Sequence, residues 1–335
     1  MRSRKLGSFD VGAVGVGCMS LTHGYGPPPD ANYASKLLNH ALDIGYNHFD
    51  NAALYGFGAS ETLLGNSIAH RRNEYTLTSK AGIFRNEQGV REINGRPEVL
   101  RRTLEDSMSR LKTDVIDLYY LHRWDKSVPI EDSIGELSNA VKAGKIRSIG
   151  LSEVSAKTLR AAHAVHPVSA VQSEYSLWTR NPEIEILDAC RELGVSLVAF
   201  SPLARQFLTG TLIDINTLDE KDLRRNMPRF EPTTFAKNLD LLPRYSAIAQ
   251  EVGCTNGQLA LAWVLAQDDN ILPIPGTTKI EHLEENAAAA DIELDQSVVE
   301  SLNQLINEHT VHGPRYNAKN QREVDSAEYA HHVLI

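Results

Sequence analysis

A closed (β/α)8 TIM barrel of the α/β class, with an N-terminal β-hairpin and long loops at its C-terminal face, is the fold this sequence predicts. Strand-like and amphipathic segments alternate through eight units, and most of the strand-like segments are apolar on both faces. Eight such units favour closure over an open doubly wound sheet. The open sheet would also carry a G-x-G-x-x-G turn. Gly12, Gly15 and Gly17 fail that spacing because Ser20 stands third, and Gly56 and Gly58 fail it with Glu61 there.

The elements follow in order. Residues 5–19 read as a small hairpin around Gly7 and Gly12 that leads into a first strand at 14–17. A helix is expected from Asp30, with Leu37, Leu38, Ala41 and Leu42 on one face and Gly45 placed to end it. Strand 48–50 precedes helix 61–69. Strand 75–80 precedes helix 97–111, opened by Pro97, whose missing N–H costs nothing in a first turn. Strand 115–121 precedes helix 129–143, where Ile130, Ile134, Leu137 and Val141 share a face and Gly144 follows. Strand 146–151 leads to a helix capped by Ser155, and strand 170–172 to helix 182–193, closed by Gly194. Strand 195–200 is followed by helices at 241–252 and 257–266, and strand 271–274 by a helix over 279–289. Two stretches break the rhythm, a long polar loop at 205–239 and a polar, histidine-rich tail after Ile306. Loops of that length in a compact domain usually carry function. One domain is expected over 1–335, with the barrel to about 310 and the tail at about 311–335.

Lys plus Arg is 34 against 43 Asp plus Glu, a formal charge of −9. That balance argues against nucleic acid as a partner, which needs clustered cations. Cys18, Cys190 and Cys254 lie far apart, make no disulfide framework and fit a reducing compartment. The chain opens without an apolar signal region, and no apolar run approaches the roughly 20 residues that span a bilayer. The expectation is a cytoplasmic protein with no membrane partner, and no feature specifies an oligomeric state. His163 and His166 share a helix face but lack a third ligand, so no metal site is expected.

Chemistry in such a barrel collects where the strands end. The second strand delivers Asp50, with Tyr55 on the loop beyond it, the third Lys80, and the fourth His122 followed by Arg123 and Trp124. Singly, a strand-end lysine is more often a solvated charge and a histidine more often structural. Four complementary groups at three consecutive strand mouths outweigh those readings. A phenol near pKa 10 is a poor acid at neutral pH, and a nearby ammonium lowers that value. Lys80 would therefore activate Tyr55, Asp50 would balance Lys80, and His122 would orient a carbonyl oxygen. At the eighth strand, I-P-G-T-T-K (274–279) runs directly into a helix. Free backbone N–H groups with Lys279 there suit an anion such as the extra phosphate of NADPH, or else form an ordinary cap.

These residues resemble the aldo-keto reductase family over nearly the whole chain, from G-V-G-C-M (15–19) to L-E-E-N (283–286). D-N-A-A-L-Y (50–55), K-A-G (80–82), D-L-Y-Y-L-H-R (117–123), G-L-S-E (150–153), Q-S-E-Y-S (172–176) and F-S-P-L-A-R (200–205) keep the family's order and spacing. The resemblance implies NADPH-dependent reduction of a small aldehyde or ketone. Tyr55 would be the general acid, Lys80 and Asp50 its tuning pair, and His122 the carbonyl-orienting group. Gly17, Met19 and Asp50 would border the cofactor. Ser152 and Gln172 would hold its carboxamide, and Phe200 would stack on the nicotinamide. Ser201, Pro202, Leu203 and Arg205 would wrap the pyrophosphate. Gly276, Thr278, Lys279, His282, Glu285 and Asn286 would surround the adenosine end. The 205–239 segment resembles the family's cofactor-covering loop.

The sequence departs from the family pattern at four places. Glu153 stands where many members have Asn, and His282 where many have an Arg against the 2′-phosphate. Gly82 replaces an aromatic found in some members, which implies a wider pocket, and Asn51 replaces the more usual Thr. Two rival functions share the fold. One is an NADPH-binding sensor subunit with little turnover, although such relatives lack the histidine present here as His122. The other is a Schiff-base lyase using Lys80. Substrate choice is expected to lie in loops 22–30, 84–96 and 124–128 and in the tail around Tyr316.

Overall fold

The computed structural model describes residues 1–85 and 88–332, so part of the 84–96 loop and the last three residues of the tail lie outside the described residues. Strands β1 (Ser3–Leu6) and β2 (Phe9–Gly12) pair antiparallel. Leu6 and Val11 pack among Leu118, Tyr120, Ala170, Val198, Leu272 and Ile274, so the hairpin plugs one end of the barrel interior. Arg4 fixes it there by donating to the carbonyl oxygens of Leu265, Asp268 and Ile271.

The barrel begins with β3 (Val16–Gly17) and helix α1 (Ala31–Asp43), then β4 (His48–Asp50), α2 (Ala59–Ile68) and β5 (Thr76–Ala81). Asp30 caps α1 by accepting from the N–H groups of Asn32 and Tyr33. Gly45, at φ 94°, turns the chain out of the helix, a conformation that favours glycine. A small antiparallel pair, β6 (Ile83–Arg85) and β7 (Arg91–Ile93), stands on the mouth before α3 (Pro97–Leu111). Next come β8 (Ile116–Leu121), α4 (Ile130–Lys142), β9 (Ile146–Ser152) and α5 (Ala156–Val165). They are followed by β10 (Val168–Glu174), α6 (Ile186–Leu193) and β11 (Ser196–Phe200).

All neighbouring strands of the sheet pair in parallel, in the order β3-β4-β5-β8-β9-β10-β11 and finally β12 (Ile271–Pro273). The sheet closes on itself. The N–H of Gly15 donates to Pro273 O at 3.0 Å and that of Gly17 to Pro275 O at 3.2 Å. Gly17 and Gly276 form the closing bridge, and a Cβ on Gly17 would lie 2.7 Å from Ile274 O, so the seam needs a glycine.

Three regions differ from the sequence expectation. The segment expected as helix 182–193 is broken at Glu185 (φ −158°), where a 3-10 turn gives way to α6. The Glu185 carboxylate has turned to accept the Ala156 N–H at the start of α5. The long loop after β11 is not structureless. It contains short 3-10 turns and helix α7 (Pro232–Leu239), whose Phe235 joins Phe207, Phe230 and Trp178 in an aromatic cluster. Leu212, Leu218 and Met227 of the same stretch also reach the core, at spacings too irregular to read as an element. Beyond α8 (Leu242–Val252), α9 (Asn256–Gln267) and α10 (Ile280–Ala288) lies an unforeseen helix α11 (Gln296–Leu305), followed by α12 (Ala318–Gln321) in the tail. Among the described residues, no helix is long and apolar enough to cross a membrane.

Candidate active site

Lys80 is fully buried at the end of β5, and its ammonium spends all three donors. It lies 2.5 Å from Asp50 Oδ1, 2.7 Å from Asn51 O and 3.2 Å from the Tyr55 hydroxyl. Asp50 is held from its other side, where Oδ2 accepts from Thr78 Oγ1 at 2.9 Å and from Gln172 Nε2 at 2.8 Å. Three strands thus supply one hydrogen-bonded chain that ends on the phenol. Asn51 owes its place to its backbone, since its carbonyl receives Lys80 while its side-chain oxygen accepts the Ala52 N–H at 2.9 Å.

Burial would push the Lys80 amine toward neutrality, but Asp50 and Tyr55 outweigh it and leave the ammonium pKa raised. For Tyr55 burial also dominates and raises the phenol above its usual value, with Lys80 and then Arg123 pulling it down. The expectation that Lys80 lowers the phenol holds for that interaction but not for the net direction. Tyr55 stays protonated at neutral pH, and Lys80 makes its anion accessible. The Tyr55 ring meets His122 edge-on, 6.0 Å between centroids. Burial first, then Arg123 and Lys80, hold His122 well below its usual pKa, so it is a neutral imidazole. It can donate one N–H to an oxygen.

A cavity of about 810 Å³ opens over this group. Asp50, Tyr55 and His122 line it, whereas Lys80 lies beneath. Every residue assigned above to the cofactor borders the same space: Gly17, Met19, Ser152, Gln172, Phe200, Ser201, Pro202, Leu203 and Arg205 on one stretch, then Gly276, Thr278, Lys279, His282, Glu285 and Asn286. Its chemistry fits a dinucleotide phosphate. Ser201, Ala204, Arg205 and Gln206 all adopt φ between 50° and 80°, and the N–H groups of Leu203, Arg205 and Gln206 find no acceptor among the described residues. Backbone donors freed by such a turn suit an anion. Lys279 and His282, at the start of α10, are exposed and have no carboxylate partner among the described residues.

Two departures from the family pattern receive structural explanations. The Glu153 carboxylate does not border the cavity but is buried against Arg315 of the tail, 2.8 Å away. Gly82 is not among the residues that line the cavity. It bends the chain into β6 at φ 98°, and a Cβ there would meet Leu121 and the Arg123 carbonyl. Sequence reasoning missed His23, whose ring lies 5.6 Å from Tyr55, and Arg91, which lines the cavity from β7. Both sit in loop-like stretches without periodicity. Their only signal was membership in segments expected to govern substrate choice. Among the described residues, no group of three or more His, Cys, Asp or Glu side chains is placed to hold a metal ion.

The sequence model of the Aldo/keto reductase family matches residues 13–307. The chain is 44% identical over 321 residues to the NADP(+) aldo-keto reductase yakc of Schizosaccharomyces pombe, covering 94% of each chain. Among solved structures it resembles the glycerol dehydrogenase of Gluconobacter oxydans, with a TM-score of 0.83 and 25% identity over 98% of both chains. It also resembles an aldo-keto reductase of Klebsiella pneumoniae solved with NADPH, at TM-score 0.73 and 25% identity, covering 91% of this chain and 95% of that one.

Proposed function

The chain belongs to the aldo/keto reductase family, and we propose that it reduces an aldehyde or activated ketone, with Tyr55 giving the proton that completes the alcohol. It is an NAD(P)H-dependent oxidoreductase acting between C=O and CH–OH groups, and its cofactor is NADP(H). When bound, NADPH supplies the hydride that the carbonyl carbon receives.

The observation that carries this reading is the chain from Asp50 through Lys80 to the Tyr55 hydroxyl. As the carbonyl oxygen gains negative charge, the Tyr55 O–H donates to it and hands over its proton. The phenolate left behind sits 3.2 Å from the Lys80 ammonium, which stabilises it, and Asp50 keeps that ammonium charged and in place. Neutral His122 donates an N–H to the same oxygen and fixes its direction. A Schiff-base role for Lys80 is disfavoured by the same geometry, because a nucleophilic amine must be neutral and exposed to the cavity.

The cavity residues divide into roles. Ser152 and Gln172 take the carboxamide, and Gln172 offers its side-chain oxygen because its nitrogen is engaged by Asp50. Phe200 stacks on the nicotinamide, and residues 201–205 wrap the pyrophosphate with their free N–H groups. Gly276, Thr278, Glu285 and Asn286 enclose the adenosine, while Lys279 and His282 meet the 2′-phosphate. An NADPH-oxidation screen over an aldehyde and ketone panel, with the alcohol product identified, tests the proposal. Substrate-dependent oxidation with stoichiometric alcohol supports it, and a panel that gives none sinks it.

A further inference from the structure

We propose that Arg123 binds a carboxylate on the carbonyl substrate, so that the enzyme's preferred substrates are aldehydes or ketones bearing an acid group. This rests on the carbonyl-reductase reading of the same site.

Four arginines line the cavity, and among the described residues three of them are neutralised. Arg91 pairs with Glu323, Arg205 with Glu174 and Arg224 with Asp222, at 2.7, 2.8 and 2.6 Å. Arg123 has no ion pair among the described residues, and Glu153, the carboxylate it influences electrostatically, is already paired with Arg315. Its Nη1 is anchored by the carbonyl oxygen of His122 at 2.7 Å and by Ser152 Oγ at 3.1 Å. A guanidinium carries five N–H donors, so Nε and Nη2 keep three without an acceptor among the described residues. The group is partly withdrawn from water, where a fixed charge without a counter-ion is costly.

Its location points to the substrate rather than the cofactor. Arg123 directly follows His122 at the end of β8 and is close enough to influence both His122 and Tyr55 electrostatically. The anionic parts of the dinucleotide are assigned to residues 201–205 and to Lys279 and His282, and its carboxamide end carries no charge. An anion on the substrate is what remains to complete Arg123. A carboxylate matches the planar fork of a guanidinium, and it passes unchanged through hydride and proton transfer at the neighbouring carbonyl.

The test compares acids with their amides, using 4-oxobutanoate against 4-oxobutanamide and 4-carboxybenzaldehyde against 4-formylbenzamide. In the wild type, kcat/KM for at least one acid exceeds that for its amide by about tenfold or more, as expected for a charge-assisted hydrogen bond. Arg123→Met brings that ratio near one, and Arg123→Lys leaves an intermediate ratio. Equal use of acid and amide by the wild type, or a ratio unchanged in Arg123→Met, overturns the inference. A second measurement, calorimetric titration of benzoate into the protein–NADP(+) complex, does not depend on turnover. Binding that is lost in Arg123→Met supports Arg123 as the anion site even if no aldehyde is reduced, in which case only the reductase reading fails. Absence of both turnover and benzoate binding overturns both.

Discussion

The carboxylate of Glu153 and the guanidinium of Arg315 form a buried ion pair across 162 positions of sequence, with contacts of 2.8 and 3.0 Å. Ser326 donates to the same carboxylate at 2.9 Å, and the Asp325 N–H donates to the Glu153 carbonyl, also at 2.9 Å. The residue that replaces the family's asparagine therefore ties the tail to the mouth of the barrel. Arg315→Met strands a buried carboxylate and is expected to cost about 3–5 kcal/mol in denaturant unfolding, whereas adding Glu153→Gln recovers part of the loss. Burial raises the Glu153 carboxyl, but Arg315, then Arg123, and hydrogen bonds outweigh it and hold Glu153 below the usual carboxylate range. Its stabilisation is thus present above the unfolded carboxyl pKa and is lost as pH falls through the lower, folded value. Unfolding of wild type and Glu153→Gln followed down the acid range checks the sign.

Lys80→Met removes the charge that pulls the Tyr55 phenol down, so the phenol rises further. Residual reduction is expected to fall by about a hundredfold or more, and its alkaline limb to move to higher pH. A limb that moves to lower pH contradicts the assignment of Lys80.

His48 lies wholly buried, neither ring nitrogen has a partner among the described residues, and burial pushes its pKa down to about 4. The unfolded chain takes up a proton near pH 6.5 that the folded one refuses. Stability linked to His48 is intact above that value and declines as pH drops below it, by about 3 kcal/mol at pH 4. His48→Leu should flatten this part of the stability curve, and an unchanged slope would show that another group carries it.

Lys279→Ala is expected to weaken NADPH binding by about 1 kcal/mol, roughly fivefold in Kd, and NADH binding much less. Fluorescence titration with both nucleotides measures the difference. Equal losses would place the 2′-phosphate elsewhere.

The barrel and the Asp50, Tyr55, Lys80 and His122 group were legible because strand ends are local features. Asp50, Lys80 and His122 each stand at the end of a short strand, Tyr55 lies on the loop just beyond one, and consecutive strands must be neighbours. Residues 205–239 and the tail were less legible for the opposite reason. The Phe235 cluster and the Glu153–Arg315 pair join segments far apart in sequence, and no local pattern encodes such contacts. The net direction of the Tyr55 shift was also hidden, because it depends on how deeply the ring is buried and not on which groups surround it.

The central claim is that Tyr55 delivers the proton. Tyr55→Phe keeps the ring and removes only the hydroxyl, so steady-state NADPH oxidation with an active aldehyde, paired with fluorescence titration of NADPH, isolates that step. Turnover is predicted to fall by about a hundredfold or more with NADPH affinity unchanged. Near-wild-type turnover in Tyr55→Phe would contradict the account.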